Sequence, residues 1–134
     1  ESDHNIVYFL YDRTDGRNAE KIIHKLREKG FKVITSNFDG DIMAVRHIHM
    51  ESLKRFDYAI IFAEKVSTQW VNMKILDVFK APGFGREKPI LKKMLIIPER
   101  MDGTLNPAAK MFEILKYEGA PSASVAQKCI NSLH

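Results

Sequence analysis

Cysteine is all but missing from this sequence: Cys129 is the only one in 134 residues. No internal disulfide can form, and a reducing, cytoplasmic setting is the expectation. Long apolar runs are missing as well. The longest, such as Tyr58–Ala63 and Met94–Pro98, fall far short of the ~20 residues that cross a bilayer. No charged-then-apolar opening segment suggests export. Tryptophan occurs once, as Trp70, and proline five times. A strong excess of one charge is also lacking. The net charge is +4, mildly basic, and Lys80, Arg86, Lys88, Lys92 and Lys93 crowd one stretch. Such a run reads as a solvated loop. Phe84 is the one aromatic beside it, too little interleaving for a nucleic-acid surface, so no nucleic-acid partner is expected.

What is present suits one globular domain. The chain is 45% hydrophobic and 28% charged, and its length can bury a core without staples. It begins with Glu1, which suggests a processed chain or a module cut from a larger protein; the second is the expectation, with a single domain over residues 1–134. Cys129 stands four residues from both Val125 and Leu133, a core spacing on a helix.

Asn5–Tyr11 is a continuous apolar run, as expected of a strand buried on both faces. A turn-rich loop, Asp12–Gly16, follows. Arg17–Lys29 reads as a helix, with Ala19, Ile22, Ile23 and Leu26 on one stripe and Gly30 at the left-handed cap position. Phe31–Thr35 is the second strand. Ser36–Asp41 is a polar turn, and the helix after it carries Ile42, Val45, His49, Leu53 and Phe56 on one side. Tyr58–Phe62 is the third strand. Ser67 or Thr68 caps a helix that runs to about Phe79. Ala81–Pro89 is a loop, Lys93–Ile97 the fourth strand, Asn106–Met111 a short helical segment and Ile114–Tyr117 a fifth strand. Pro121 opens the final helix. This alternation predicts a five-stranded parallel sheet with helices on both faces, an α/β flavodoxin-like three-layer fold. In such sheets ligands bind beyond the carboxyl ends of the strands. That nominates the loops Asp12–Gly16, Ser36–Asp41, Ala63–Thr68 and Pro98–Thr104.

Several chemistries are excluded. Gly83-Phe84-Gly85 follows a helix and lacks a third glycine at the right spacing, so there is no dinucleotide fingerprint, and there is no P-loop. No G-x-S-x-G elbow exists. His47 and His49 are two apart, so on a helix they diverge and make no metal pair. His49 falls on an apolar stripe and reads as a hydrogen-bonded core histidine. A phospho-receiver needs an acidic pair after its first strand, whereas Asp12 stands alone here. It also needs an aspartate ending the third strand, where this chain reads Phe62-Ala63-Glu64.

One constellation is informative. Asp57-Tyr58-Ala59-Ile60-Ile61-Phe62 leads to Ser67-Thr68-Gln69-Trp70 and then to Lys74. An apolar third strand followed by a Ser-x-x-Trp element that opens a helix resembles the Toll/interleukin-1 receptor (TIR) family. Asp12-Arg13 at the exit of the first strand is similar to that family's opening motif. Ser36–Asp41, with Phe38 and Asp39, sits where TIR domains carry their BB loop. The stretches Val45–Leu53 and Lys80–Arg86 look like bacterial TIR-like domains attached to NTPase-type signalling and defence proteins.

The resemblance implies two jobs. Some TIR domains assemble with copies of themselves or with other TIR-type domains, within larger multidomain chains. Others cleave the nicotinamide–ribose bond of NAD, using a glutamate four residues after the Trp. A carboxylate there steadies the ribose hydroxyls and a cationic ribosyl transition state. In this chain that position is Lys74, which would repel such a cation. The first expectation is therefore a TIR-like signalling module acting by self-association or partner binding, with no required cofactor or metal and no membrane. The alternative is an NAD-cleaving or nucleotide-binding enzyme with displaced acids. Its candidate acids are Glu64, Asp77 and Glu51, and its candidate ligand-binding residues Asp12, Arg13, Phe38, Asp39, Ser67, Trp70 and Lys74. The plain reading of Asp77 is a surface pair with Lys74, and that of Trp70 is an anchor of its helix on the sheet.

Overall fold

The computed structural model describes residues 5–35, 43, 46–47, 49, 54–80, 90–101, 103–121 and 123–133. Ser36–Asp41 (with Phe38 and Asp39), Glu51 and the stretch 81–89 lie outside them.

Five parallel strands form one sheet: β1 (Ile6–Leu10), β2 (Lys32–Thr35), β3 (Tyr58–Phe62), β4 (Lys92–Pro98) and β5 (Glu113–Tyr117). Their spatial order is β2-β1-β3-β4-β5. Val7 lies opposite both Val33 and Tyr58, which fixes the register of β1 between its neighbours. Three helices are described: α1 (Gly16–Glu28), α2 (Thr68–Phe79) and α3 (Ala123–Leu133). The expected flavodoxin-like three-layer fold is what forms. Among the described residues no helix is long and apolar enough to cross a membrane.

The period-2 geometry of β1 explains the layering. Val7 and Phe9 point to one face and join Ala19, Ile22 and Leu26 of α1 and Cys129 and Ile130 of α3. Tyr8 and Leu10 point to the other, against Val71, Ile75 and Val78 of α2. A strand with apolar residues on both faces has no solvent side, hence the unbroken run in the sequence. Each large side chain so buried contributes about 1.5–3 kcal/mol.

The helix ends follow local chemistry. Ser67 caps α2, its hydroxyl accepting from the Trp70 amide at 3.2 Å. Past the end of α1, Gly30 takes φ +95°, where a side chain would be strained. The Phe31 amide then returns to the Leu26 carbonyl and the Gly30 amide to that of Arg27, both at 3.1 Å. The short segment expected over Asn106–Met111 is a 3-10 turn, Pro107–Met111, with Asn106 as its cap. The C-terminal helix is fastened to the sheet edge. Lys92 Nζ donates to the Ser132 carbonyl at 2.5 Å and pairs with Glu113 at 3.2 Å, while the Ser132 hydroxyl donates to Glu113 at 2.6 Å.

Candidate functional site

Strand order reverses between β1 and β3, so their carboxyl ends flank the switch point where doubly wound sheets bind ligands. The β1 exit carries Asp12, Arg13 and Asp15 in a 3-10 turn, Arg13–Asp15. The β3 exit carries Glu64 and leads to α2.

Asp12 caps that turn. Its carboxylate accepts from the Thr14 hydroxyl at 2.7 Å and the Thr14 amide at 3.0 Å. Those two hydrogen bonds hold its pKa below the usual carboxylate range, and the cations Lys74 and Arg13 add to the effect.

On α2, Lys74 follows Trp70 by one turn and lies over its ring, 5.7 Å from the centroid. The same ammonium stands 3.9 Å from Asp77 Oδ2. Trp70 is partly buried and packs on the α2-side core, so the anchoring role expected of it is met. Asp77 forms the expected pair with Lys74, but the pairing does not stop there. His49 Nε2 lies 3.2 Å from the same Oδ2, and His49 Nδ1 bonds the hydroxyl of Tyr8, which is wholly buried in β1. A phenol that donates to Nδ1 leaves the imidazole proton on Nε2, facing the carboxylate. Tyr8, His49, Asp77 and Lys74 thus form one polar chain from the sheet to α2. Both recorded contacts of Asp77 fall on Oδ2. His49 is the hydrogen-bonded histidine that its stripe position predicts. His47 is exposed, and the described residues hold no cluster fit for a metal ion.

Glu64 does not join this group. Side chains alternate along β3, so Glu64 leaves on the α1 side of the sheet, where Asn18 of α1 donates to Oε1 at 2.9 Å. It lines a cavity of about 320 Å³ with Glu99, Arg100, Tyr117 and Glu118 at the ends of β4 and β5. The candidate acids Glu64 and Asp77 therefore stand on opposite faces of the sheet. Arg100 donates to the Glu64 and Val66 carbonyls at 2.8 and 3.1 Å. Tyr117 donates to the Ala63 carbonyl at 2.5 Å. Burial raises its phenol pKa well above the ordinary value, with the charges of Glu64 and Asp15 adding to the shift.

Asp15 escaped the sequence reading. It is buried, and its two oxygens accept from the Glu64 amide at 3.0 Å and the Lys65 amide at 2.9 Å. The β1 exit is thereby stapled to the β3 exit. The only sequence signal is a second aspartate in a polar loop, which any solvated turn would show.

No protein family matches the sequence, and no curated protein matches it. Among solved structures, the fold is similar to that of a CMP N-glycosidase from Clostridium botulinum, with 17% identity over 94% of this chain and 98% of that chain and a TM-score of 0.60. A diflavin flavoprotein from Nostoc sp. is 14% identical over 96% of this chain and 88% of that one, with a TM-score of 0.47. At such identity the likeness to the N-glycosidase is one of fold alone.

Proposed function

We propose that this chain is a TIR-like signalling module that works by associating with copies of itself or with other TIR-type domains, not by turning over a substrate. The observation that carries this reading is Lys74. It occupies the position of the acid that the TIR resemblance calls for, and its ammonium sits between the Trp70 ring and Asp77. The nearest carboxylate on that helix already faces a lysine and a histidine. Neutralised in this way, it is poorly suited to steadying a ribosyl cation. Sedimentation velocity over a wide concentration range, alone and with TIR-type domains from the same cell, tests the reading. Growth of larger species supports it; a strict monomer that captures nothing refutes it.

A second reading is favoured by one detail. The contacts of Asp77 converge on Oδ2, which leaves Oδ1 to accept a ligand hydroxyl on the helix that also carries Trp70. A nucleotide ligand, with cleavage of an N-glycosidic bond as in the similarly folded CMP N-glycosidase, or of NAD, fits that placement. It predicts nicotinamide release from NAD that is lost in Trp70→Ala and in Asp77→Asn. No release by an associated sample, together with no heat of NAD binding, rules it out. Lys74→Glu belongs in the same assay, because it restores the acid that the family resemblance expects.

A further inference from the structure

Away from the Lys74 cluster, α1 and the start of α3 enclose a groove of about 400 Å³. Its floor is apolar, formed by Ile22, Pro121 and Ala126, and Lys21 and Lys25 stand on its rim. Both lysines are exposed, and among the described residues no carboxylate lies within ion-pair distance of Lys21. Lys25 has Glu28 at 3.9 Å, a weak exposed pair. Arg17, one turn before Lys21 and also exposed, continues the cationic ridge along α1.

The cavity at the ends of β3, β4 and β5 has the opposite character. Glu64, Glu99 and Glu118 line it against one cation, Arg100, whose guanidinium is anchored on two backbone carbonyls. The two depressions are neighbours. Asn18 lines the groove, Glu64 lines the mouth, and the two side chains are hydrogen-bonded at 2.9 Å. One face therefore carries an apolar, basic recess directly beside an acidic one.

We infer that two copies of this chain pair about a two-fold axis through that face, the basic rim of each groove (Lys21, Lys25) facing the acidic rim of the other copy's cavity (Glu99, Glu118). The inference rests on the association reading above and names its interface. Adjacent patches of opposite sign are self-complementary under a two-fold rotation, because each patch meets its opposite twice, and such an isologous contact closes at two subunits. The charges set the register and reject the parallel alternative, in which like would face like.

Charge reversal tests it. Lys21→Glu/Lys25→Glu and Glu99→Lys/Glu118→Lys alter exposed side chains, so circular dichroism should match the wild type. Each double variant alone is expected to weaken dimerisation at least about tenfold, and an equimolar mixture to restore a one-to-one heterodimer. Failure of the mixture to recover, or a ladder of larger species, overturns the two-fold pairing. If the wild type associates and both variants do so equally well, the interface is wrong while the association reading stands. If the wild type and the mixture are both monomeric, the two-fold pairing falls, and the association reading falls with it when no TIR-type domain is captured either.

Discussion

Replacing Asp15 by alanine should cost this fold more than any other single polar substitution described above. The carboxylate is buried, and each oxygen takes one backbone amide, those of Glu64 and Lys65. Hydrogen bonds to a charged acceptor contribute about 1.5–3 kcal/mol each, and a buried amide left without a partner costs about 1–3 kcal/mol. Water will enter and offset part of the loss, so a net destabilisation of about 3–4 kcal/mol is expected for Asp15→Ala. For a domain of this size that corresponds to a fall in Tm of roughly 10–15 °C. Asp15→Asn keeps one carbonyl oxygen but turns an NH2 group toward the other amide. It should recover less than half of the loss, because donor then faces donor. Equilibrium unfolding in urea is the assay, read at unchanged slope so that the midpoint reports stability alone. Amide hydrogen exchange at Glu64 and Lys65 should rise in both variants. A loss under about 1 kcal/mol for Asp15→Ala would show that the β1 and β3 exits are held by the surrounding core and that the staple is incidental.

Other outcomes follow from the same contacts. Tyr8→Phe removes the hydroxyl that bonds His49 and should cost about 1–2 kcal/mol in urea unfolding, with a shift of the His49 ring-nitrogen resonances; an unchanged His49 spectrum contradicts the polar chain. The Asp12 pKa is held low in the folded state, so its contribution is fully present above the unfolded value and fades as pH falls through the folded one. Thr14→Val should move the Asp12 carboxyl titration, followed by carbon NMR, upward toward ordinary aspartate, and no movement refutes the Thr14 cause. Burial pushes the Cys129 thiol up to about 12, so native protein should react with a thiol reagent such as DTNB only at the rate of unfolding; a fast reaction at neutral pH would place Cys129 outside the core.

The fold was largely legible because its signals are local. Tyr58–Phe62 and Thr68–Phe79 announce themselves by apolar continuity and by a serine cap, and both have a single best secondary structure whatever surrounds them. The strand boundaries moved by a residue or so, as at Ile6–Leu10 and Glu113–Tyr117, because pairing with neighbours, not composition, decides where a ladder stops. The Lys74–Asp77 pair was legible for the same local reason, three residues apart on one helix.

The sequence by itself determined the alternation of strands and helices, the double-sided burial of β1 and the lysine that stands where the family resemblance expects an acid. Only the tertiary structure decided which polar groups meet. His49 and Asp77 are 28 residues apart, Tyr8 and His49 41, and Asp15 and Glu64 49. Whether such pairs touch depends on strand order and on the face each side chain takes. Those follow from how all five strands pack at once, and no local pattern encodes them. The same cause placed Glu64 and Asp77 on opposite sides of one sheet, and set a basic groove beside an acidic mouth.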